Sequence, residues 1–387
     1  ARSGGTGMKL TGAELRTIRM PLVSPFETSF GVEEDRVAVL VRIIGTVGGD
    51  RRPVEVQGWG ECVAMEMPLY SSEYAEAAAA MLRTFLLPRL LAASNAGTDI
   101  TAETVDSLLQ PFVGHRMAKA ALEMAVLDAQ LRGTGRSLAG YLGATRSSVP
   151  SGVSVGIQPS IATLLDVVGE YLAEGYVRIK LKIKPGWDVA PVEAVRERFG
   201  ELIPLQVDAN AAYTLADARV LRRLDAFDLL LIEQPLPEDD LRQHAELARL
   251  VRTPICLDES IVSPRAAADA IALKSCSVIN IKAGRVGGYL AAKQIHDICR
   301  ANGIPVWCGG MLETGLGRAA NAALAALPGF TLPGDISASD RFYERDITEP
   351  FVMDDGRIAV PTGPGLGVTP IQGVLDQFTV TTEWIQP

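Results

Sequence analysis

The chain has 387 residues, more than one compact domain usually holds, and its formal net charge of -9 leaves no excess of basic side chains for nucleic-acid phosphates. Hydrophobic residues make up 48% and charged residues 21%, ordinary for a soluble globular enzyme, and no apolar run approaches the roughly 18 residues needed to cross a bilayer. Nucleic acid and membrane are thereby excluded as expected partners, and a small molecule is expected. The opening ARSGGTG lacks the layout of a secretion signal, so Met8 reads as a start behind a tag-like extension. From Lys9 to about Ile44 apolar residues alternate, notably in RVAVLVRI, and the turn-rich GTVGGDRRP follows, which predicts antiparallel strands. Residues 71–93 and 115–132 are Ala-rich with helical spacing. An α+β capping unit over residues 8–135 is the reading, with the segments SPFETSFG (24–31) and GECVAMEMP (60–68) as its loops.

Beyond residue 135 strands and helices alternate strictly. GVSVGI, VRIKLKI, LIPLQVD, DLLLIE, TPICLDE, SVINIK and IPVWCG are each followed by a helical stretch, at 159–174, 188–199, 214–224, 238–250, 263–273, 287–302 and 315–326. Seven βα units over residues 136–340 predict a modified (β/α) TIM-like barrel, with an eighth strand near FTLPGD. The segment 341–387 carries the strand-like RIAVP and FTVTTEWI, too late for barrel strands, and is expected to return to the capping unit.

Five of the apolar runs stop on a charged residue: Lys182, Asp208, Glu233, Asp258 and Lys282, at steps of 26, 25, 25 and 24 residues. Side chains at the C-terminal ends of barrel strands converge on one mouth. Asp208, Glu233 and Asp258 are three hard oxygen donors with no histidine or thiolate nearby, a set that favours Mg²⁺ or Mn²⁺ over zinc. Each acid alone could equally cap the helix that follows it; three in succession, bracketed by lysines, favour a metal. Lys182 and Lys282 flank the acids from opposite sides, a placement suited to two bases on two faces of one substrate. A lysine base needs its pKa lowered from about 10.4 toward 7 or 8. Lys180, two residues before Lys182, and Arg285, three after Lys282, are the cations expected to lower them.

The stretches IKLKIKPGWD, QVDANAAYT, LIEQPL, CLDES, NIKAGRVGG, GGMLETGLGRAANAALA and GDISASDRFYERDITEPF occur in order, and with them the sequence resembles the N-succinylamino acid racemase and o-succinylbenzoate synthase family of the enolase superfamily, from about Met8 to the C-terminus. The resemblance implies that Asp208, Glu233 and Asp258 bind Mg²⁺ and that Lys182 and Lys282 exchange the α-proton of a carboxylate substrate through an enediolate. It further implies that Lys180 supports Lys182 beside the substrate carboxylate, and that Ser154, Asn210, Gly310 and Met311 contact the substrate. The segments 24–31 and 60–68 would form a specificity lid that excludes water. A homo-oligomer, such as an octamer of barrels, is also implied.

Racemisation of N-acyl, especially N-succinyl, amino acids is the leading expectation. The alternative is a dedicated o-succinylbenzoate synthase of menaquinone synthesis, in which Lys282 is only a cation; a muconate-type cycloisomerase or dipeptide epimerase shares the lysine and acid pattern, and a catalytically silent binding protein is a further class. His115, His244 and His296 lie at no predicted strand end, which disfavours a His–Asp base. The five cysteines, Cys62, Cys256, Cys276, Cys299 and Cys308, form no CxxC pair and suit a reducing cytoplasm, with Cys308 read as a packing residue.

Overall fold

The computed structural model describes residues 7–48 and 53–386, so residues 49–52 of the expected turn lie outside it. The chain opens with three long strands, β1 (Lys9–Glu27), β2 (Val32–Val47) and β3 (Val54–Cys62). Helical stretches 75–95, 102–109 and 116–134 follow, then β4 (Ser148–Pro150). The barrel strands are β5 (Gly152–Val155), β6 (Arg178–Lys182), β7 (Leu205–Asp208), β8 (Ile232–Glu233), β9 (Ile255–Leu257), β10 (Val278–Ile281) and β11 (Val306–Cys308). The tail adds β12 (Met353–Asp354), β13 (Arg357–Ala359) and β14 (Thr379–Ile385).

β5 to β11 form one parallel sheet in sequence order, the arrangement expected of successive strand–helix–strand units. The eighth position is present only as isolated bridges. Phe330 bridges Val306 of β11 and Gly334 bridges Ser151 beside β5, so residues 330–335 close the curled sheet without forming a strand. The two prolines of that stretch's neighbourhood, Pro328 and Pro333, lack the N–H that a ladder needs. The helix expected at 214–224 is broken into 3₁₀, α and 3₁₀ pieces over Leu215–Ala226.

β14 pairs antiparallel with β1, giving the sheet order β14-β1-β2-β3, so the end of the tail completes the capping unit. β13 behaves otherwise: it pairs with β12 and with β4, and this part of the tail therefore lies on the entry to the barrel rather than on the capping sheet. One stretch corrects the sequence reading of hydropathy. Among the described residues the helical run Ala75–Asn95 is long and apolar enough to cross a membrane by length and composition. Its apolar face, Leu82, Leu86, Leu87, Leu90 and Leu91, is buried in the core of the capping unit.

The helix Arg116–Thr134 ties the two cores together. It lies so close on β3 that a Cβ at Gly60 would overlap the carbonyl oxygen of Ala121. From the same helix Glu123 accepts hydrogen bonds from the backbone N–H groups of Tyr289 (2.6 Å) and Leu290 (3.2 Å), at the start of the barrel helix Tyr289–Ala301. Glu61 of β3 does the same for the helix Gly315–Ala325, accepting from the N–H groups of Thr314 (3.0 Å) and Gly317 (3.0 Å) and from the Thr314 hydroxyl (2.7 Å). Carboxyl oxygens here satisfy N–H groups that a helix start leaves without an intrahelical partner.

Burial pushes the Glu123 carboxyl up from an ordinary 4.5 to about 8. Between those values the folded chain holds a proton that the unfolded chain has released, so this group's contribution to stability is lost as pH rises through that window. The isosteric Glu123→Gln is expected to lose less stability between pH 5 and pH 8 than the wild type does, measured as urea midpoints at the two pH values. Equal losses in the two proteins would overturn the assignment.

Candidate active site

Alternation along β6 sends Arg178, Lys180 and Lys182 to the inside of the barrel, and all three are buried. The register then places Lys182 level with Asp208, and Asp208 level with Glu233, on successive strands. Asp258 follows Leu257, the last residue of β9, and Lys282 follows Ile281, the last of β10. The five charges predicted from spacing are thus brought to one end of the sheet. Asp208, Glu233 and Asp258 are at most 1% exposed.

Each acid is paired with a cation. The Lys182 Nζ donates to Asp208 Oδ2 (2.6 Å) and to Asn210 Oδ1 (2.8 Å). The Lys180 Nζ reaches Glu233 Oε2 (3.1 Å), Asp335 Oδ2 (2.6 Å) and Asp208 Oδ2 (3.4 Å). On the far side the Lys282 Nζ donates to Asp258 Oδ2 (2.8 Å), whose other oxygen takes the Arg285 guanidinium. The Tyr70 hydroxyl lies between, 2.9 Å from Asp258 Oδ1, 3.2 Å from the Lys282 Nζ and 3.3 Å from Arg285 Nη1.

With no metal cation on the three acids, the pairings of Lys282 run against the lowering expected from Arg285. Burial does oppose the charge on Lys180, but Asp335, Glu233 and Asp208 outweigh both burial and Arg178, and its pKa is raised. Burial likewise opposes Lys282, yet Tyr70, Glu233, Glu259 and Asp208 together raise it. Sequence spacing showed the nearby cations; it did not show how many carboxylates from other strands face the same ammonium groups. Burial would raise Asp208 too, but Lys182 and Lys180 hold it well below the usual carboxylate range. Glu233 goes the other way, pushed up by burial and by the Asp208 charge.

Crowded buried carboxylates require positive charge. Among the described residues no three acids form a ready-made ion cluster, and each of the three acids gives an oxygen to a lysine ammonium group. The donor chemistry nevertheless fits a hard divalent cation: three carboxylates from adjacent strands, with no histidine or cysteine side chain bonded to them. The Asn280 side-chain oxygen and Glu259 Oε2 are buried here without a hydrogen-bond partner, two further acceptors in the same region.

A cavity open to solvent lies over this ring. Lys180, Lys182, Lys282, Asn210, Ser154, Gly310 and Met311 all line it, so every predicted catalytic lysine and substrate contact is gathered at one place. Arg285 lies behind Tyr70 and does not line this cavity. The segment 24–31 is the end of β1 and a tight turn rather than a loop, and it covers the mouth: the Ser29 hydroxyl donates to the Asn210 carbonyl (3.3 Å), and the Phe26 ring stands 6.0 Å from the Lys182 Nζ. In the segment 60–68, β3 runs to Cys62 and irregular chain follows, from which Met65 lines the cavity.

Asn210 and Leu312 hold positive φ (43° and 55°) just past strand ends, as Gln234 does after β8 (38°), and backbone strain of this kind gathers at functional sites. The sequence reading missed Tyr70, Glu259 and Asp335. Tyr70 lies two residues beyond the second lid segment, and Glu259 and Asp335 are the unremarked acids of CLDES and GDISASD. Asp335 binds both Lys180 and Arg178. The histidines stay apart from the ring: His244 accepts from the Leu236 N–H, and His296 stacks on Phe330. Cys308 is fully buried.

Residues 12–143 match the N-terminal domain of the mandelate racemase / muconate lactonizing enzyme family, and residues 163–374 match the enolase C-terminal domain-like family. The chain is 65% identical to an N-succinylamino acid racemase from Amycolatopsis sp over 378 residues, 98% of this chain and 100% of the relative. It is 47% identical to an o-succinylbenzoate synthase from Geobacillus kaustophilus over 366 residues, 94% of each chain. The crystal structure of an enolase superfamily member from Listeria innocua, 42% identical, superposes with a TM-score of 0.91 over 98% of this chain and 99% of that one. With two family domains in order, a carboxylate ring between two lysines and relatives along almost its whole length, the chain belongs to the enolase superfamily.

Proposed function

We propose that the protein racemises N-acylamino acids, N-succinyl ones above all, by moving the α-proton between Lys182 and Lys282. The observation that carries this reading is the presence of both ammonium groups in one cavity, on β6 and β10, with the three acid-bearing strands β7, β8 and β9 between them. For one enantiomer the Lys182 Nζ, as the neutral amine, takes the α-proton and the Lys282 ammonium supplies one from the other face; for the mirror substrate the protonation states and roles exchange. Asn210 and Asp208 hold the Lys182 Nζ, while Asp258 and Tyr70 hold that of Lys282. Lys180 places positive charge beside Lys182, and Arg285 supports Asp258 and Tyr70 from behind. Ser154, Gly310 and Met311 form the wall along which the acyl chain lies, and the 24–31 segment excludes water.

Members of the enolase superfamily use a divalent metal ion. Asp208, Glu233 and Asp258 would hold it, and the all-oxygen donor set favours Mg²⁺, with Mn²⁺ able to replace it. When bound, the ion supplies electrostatic stabilisation of the negative charge that develops on the substrate carboxylate. The proposal includes a small-molecule carboxylate as the partner, without nucleic acid or membrane, and a homo-oligomeric assembly.

The relatives named as synthases support a second reading, o-succinylbenzoate synthase, in which Lys182 removes the proton, hydroxide leaves the β-carbon as water and Lys282 serves as a cation only. Proton NMR in D₂O with Mg²⁺ and each enantiomer of an N-succinylamino acid, with the dehydration substrate assayed in parallel, decides between them. Exchange and inversion from both enantiomers is the expected result. Dehydration without inversion would leave the synthase reading, and neither reaction would sink both.

A further inference from the structure

Arg341 is 8% exposed and lines the same cavity, yet it has no ion-pair partner among the described residues. Its only hydrogen bond there runs from Nη2 to the Ser154 carbonyl (2.9 Å), and Nε has no acceptor. Three rings enclose the guanidinium, with its carbon 4.7 Å from the Phe342 centroid, 5.0 Å from Tyr171 and 5.7 Å from Phe26. Stacking on rings offsets part of the cost of burying this charge, but a buried guanidinium without a counter-ion is unusual. Of the acids whose charge reaches Arg341, Asp335 is held by Arg178 and Lys180, and Glu174 acts through space with no ion pair or hydrogen bond to the guanidinium. A second, independent feature lies beside it: the Ser154 hydroxyl is buried with no hydrogen-bond partner and faces the same cavity.

We propose that Arg341 and the Ser154 hydroxyl form a subsite for a second carboxylate at the acyl end of the substrate, which makes Arg341 the residue that selects N-succinyl over N-acetyl amino acids. The proposal rests on the racemase reading for the position of the α-carbon. Phe26 supplies the distance: the Lys182 Nζ is 6.0 Å from its centroid and the Arg341 carbon 5.7 Å, so with those two legs end to end the cations are no more than about 12 Å apart. The five bonds from an α-carbon to the distal carboxyl of a succinyl arm span roughly 6 Å when extended. Contact of about 3 Å at the lysine end and about 4 Å for a forked carboxylate–guanidinium pair completes the reach. An acetyl arm stops two bonds short and carries no charge for the arginine.

The test compares wild type, Arg341→Met, Arg341→Lys and Ser154→Ala, all with Mg²⁺ bound, on N-succinyl and N-acetyl forms of one amino acid. Deuterium exchange gives kcat and KM, and calorimetry gives affinities for N-succinylglycine and N-acetylglycine. Arg341→Met is expected to lower kcat/KM for the N-succinyl substrate by about 100-fold, mostly through KM, and to leave the N-acetyl substrate within about threefold. Arg341→Lys should recover part of the loss, and Ser154→Ala should lower the N-succinyl value by about tenfold. Equal losses on both substrates in the Met and Lys variants would make Arg341 a structural residue and overturn the subsite. The calorimetric arm separates this from the reaction itself. If N-succinylglycine binds through Arg341 and no α-proton exchanges, the racemase reading falls and the subsite stands. If exchange proceeds without discrimination by Arg341, the reverse holds.

Discussion

Lys282→Ala is expected to exchange the α-proton of one enantiomer of an N-succinylamino acid and to invert neither, while Lys182→Ala should do the same for the opposite enantiomer. The two lysines hang from different anchors. Lys182 is held by Asp208 and Asn210, and Lys282 by Asp258 and Tyr70, so removing one leaves the other's contacts in place. An ammonium group in D₂O trades its hydrogens with solvent, and the surviving lysine can therefore take a proton and return a deuteron to the same face. Loss of a positioned acid–base group costs about 10² to 10⁴-fold in rate, and inversion should fall by at least that much. Deuterium incorporation followed by NMR, with chiral separation of the recovered substrate, reads both quantities. Inversion that persists in either variant at more than about a hundredth of the wild-type rate would remove that lysine from the mechanism. If the synthase reading is right, Lys282→Ala keeps much of its dehydration activity.

Glu233→Gln should have an effect of similar size through a different cause. Glu233 is completely buried, and both burial and Asp208 work against its charge. Lys180 and the Asn280 amide, at 3.1 Å and 2.6 Å, are the contacts that hold it in the chain as described. A divalent ion that binds the folded chain alone should stabilise the wild type by about 2.7 kcal/mol at a concentration one hundred times its Kd and so raise its thermal midpoint. The variant should show little of that Mg²⁺- or Mn²⁺-dependent gain, and α-proton exchange should fall by about 10³-fold or more. A midpoint shift equal to that of the wild type would place the ion elsewhere.

How much of this was legible from residue order follows from how local each signal is. An apolar run ending on a charge identifies a barrel strand and its mouth residue together, which is why Lys182, Asp208, Glu233, Asp258 and Lys282 could be read off the chain. The eighth position could not be read as firmly, since residues 330–335 touch their neighbours only through single bridges. Tyr70 was hidden because irregular chain after β3 has no period, and only the fold carries it to Lys282, 212 residues away. The lysine environments were misjudged for a related reason: a cation two or three residues away is visible in the sequence, whereas Glu233 and Asp335 reach Lys180 from strands and turns far along it. Arg341 gave no signal in the sequence, because the absence of an ion-pair partner among the described residues is a property of the packed cavity.

The carboxylates of Glu61 and Glu123 bear on how this protein can be taken apart. They sit on the helices that follow β11 and β10, the strands leading to Met311 and to Lys282. A barrel expressed without residues 8–135 would present two bare helix starts where those acids belong, together with the surface now covered by the helix Arg116–Thr134. Truncation is therefore a poor route to a minimal catalyst, whereas exchange of the short segments 24–31 and 63–68 between relatives leaves both anchors, and Tyr70, in place.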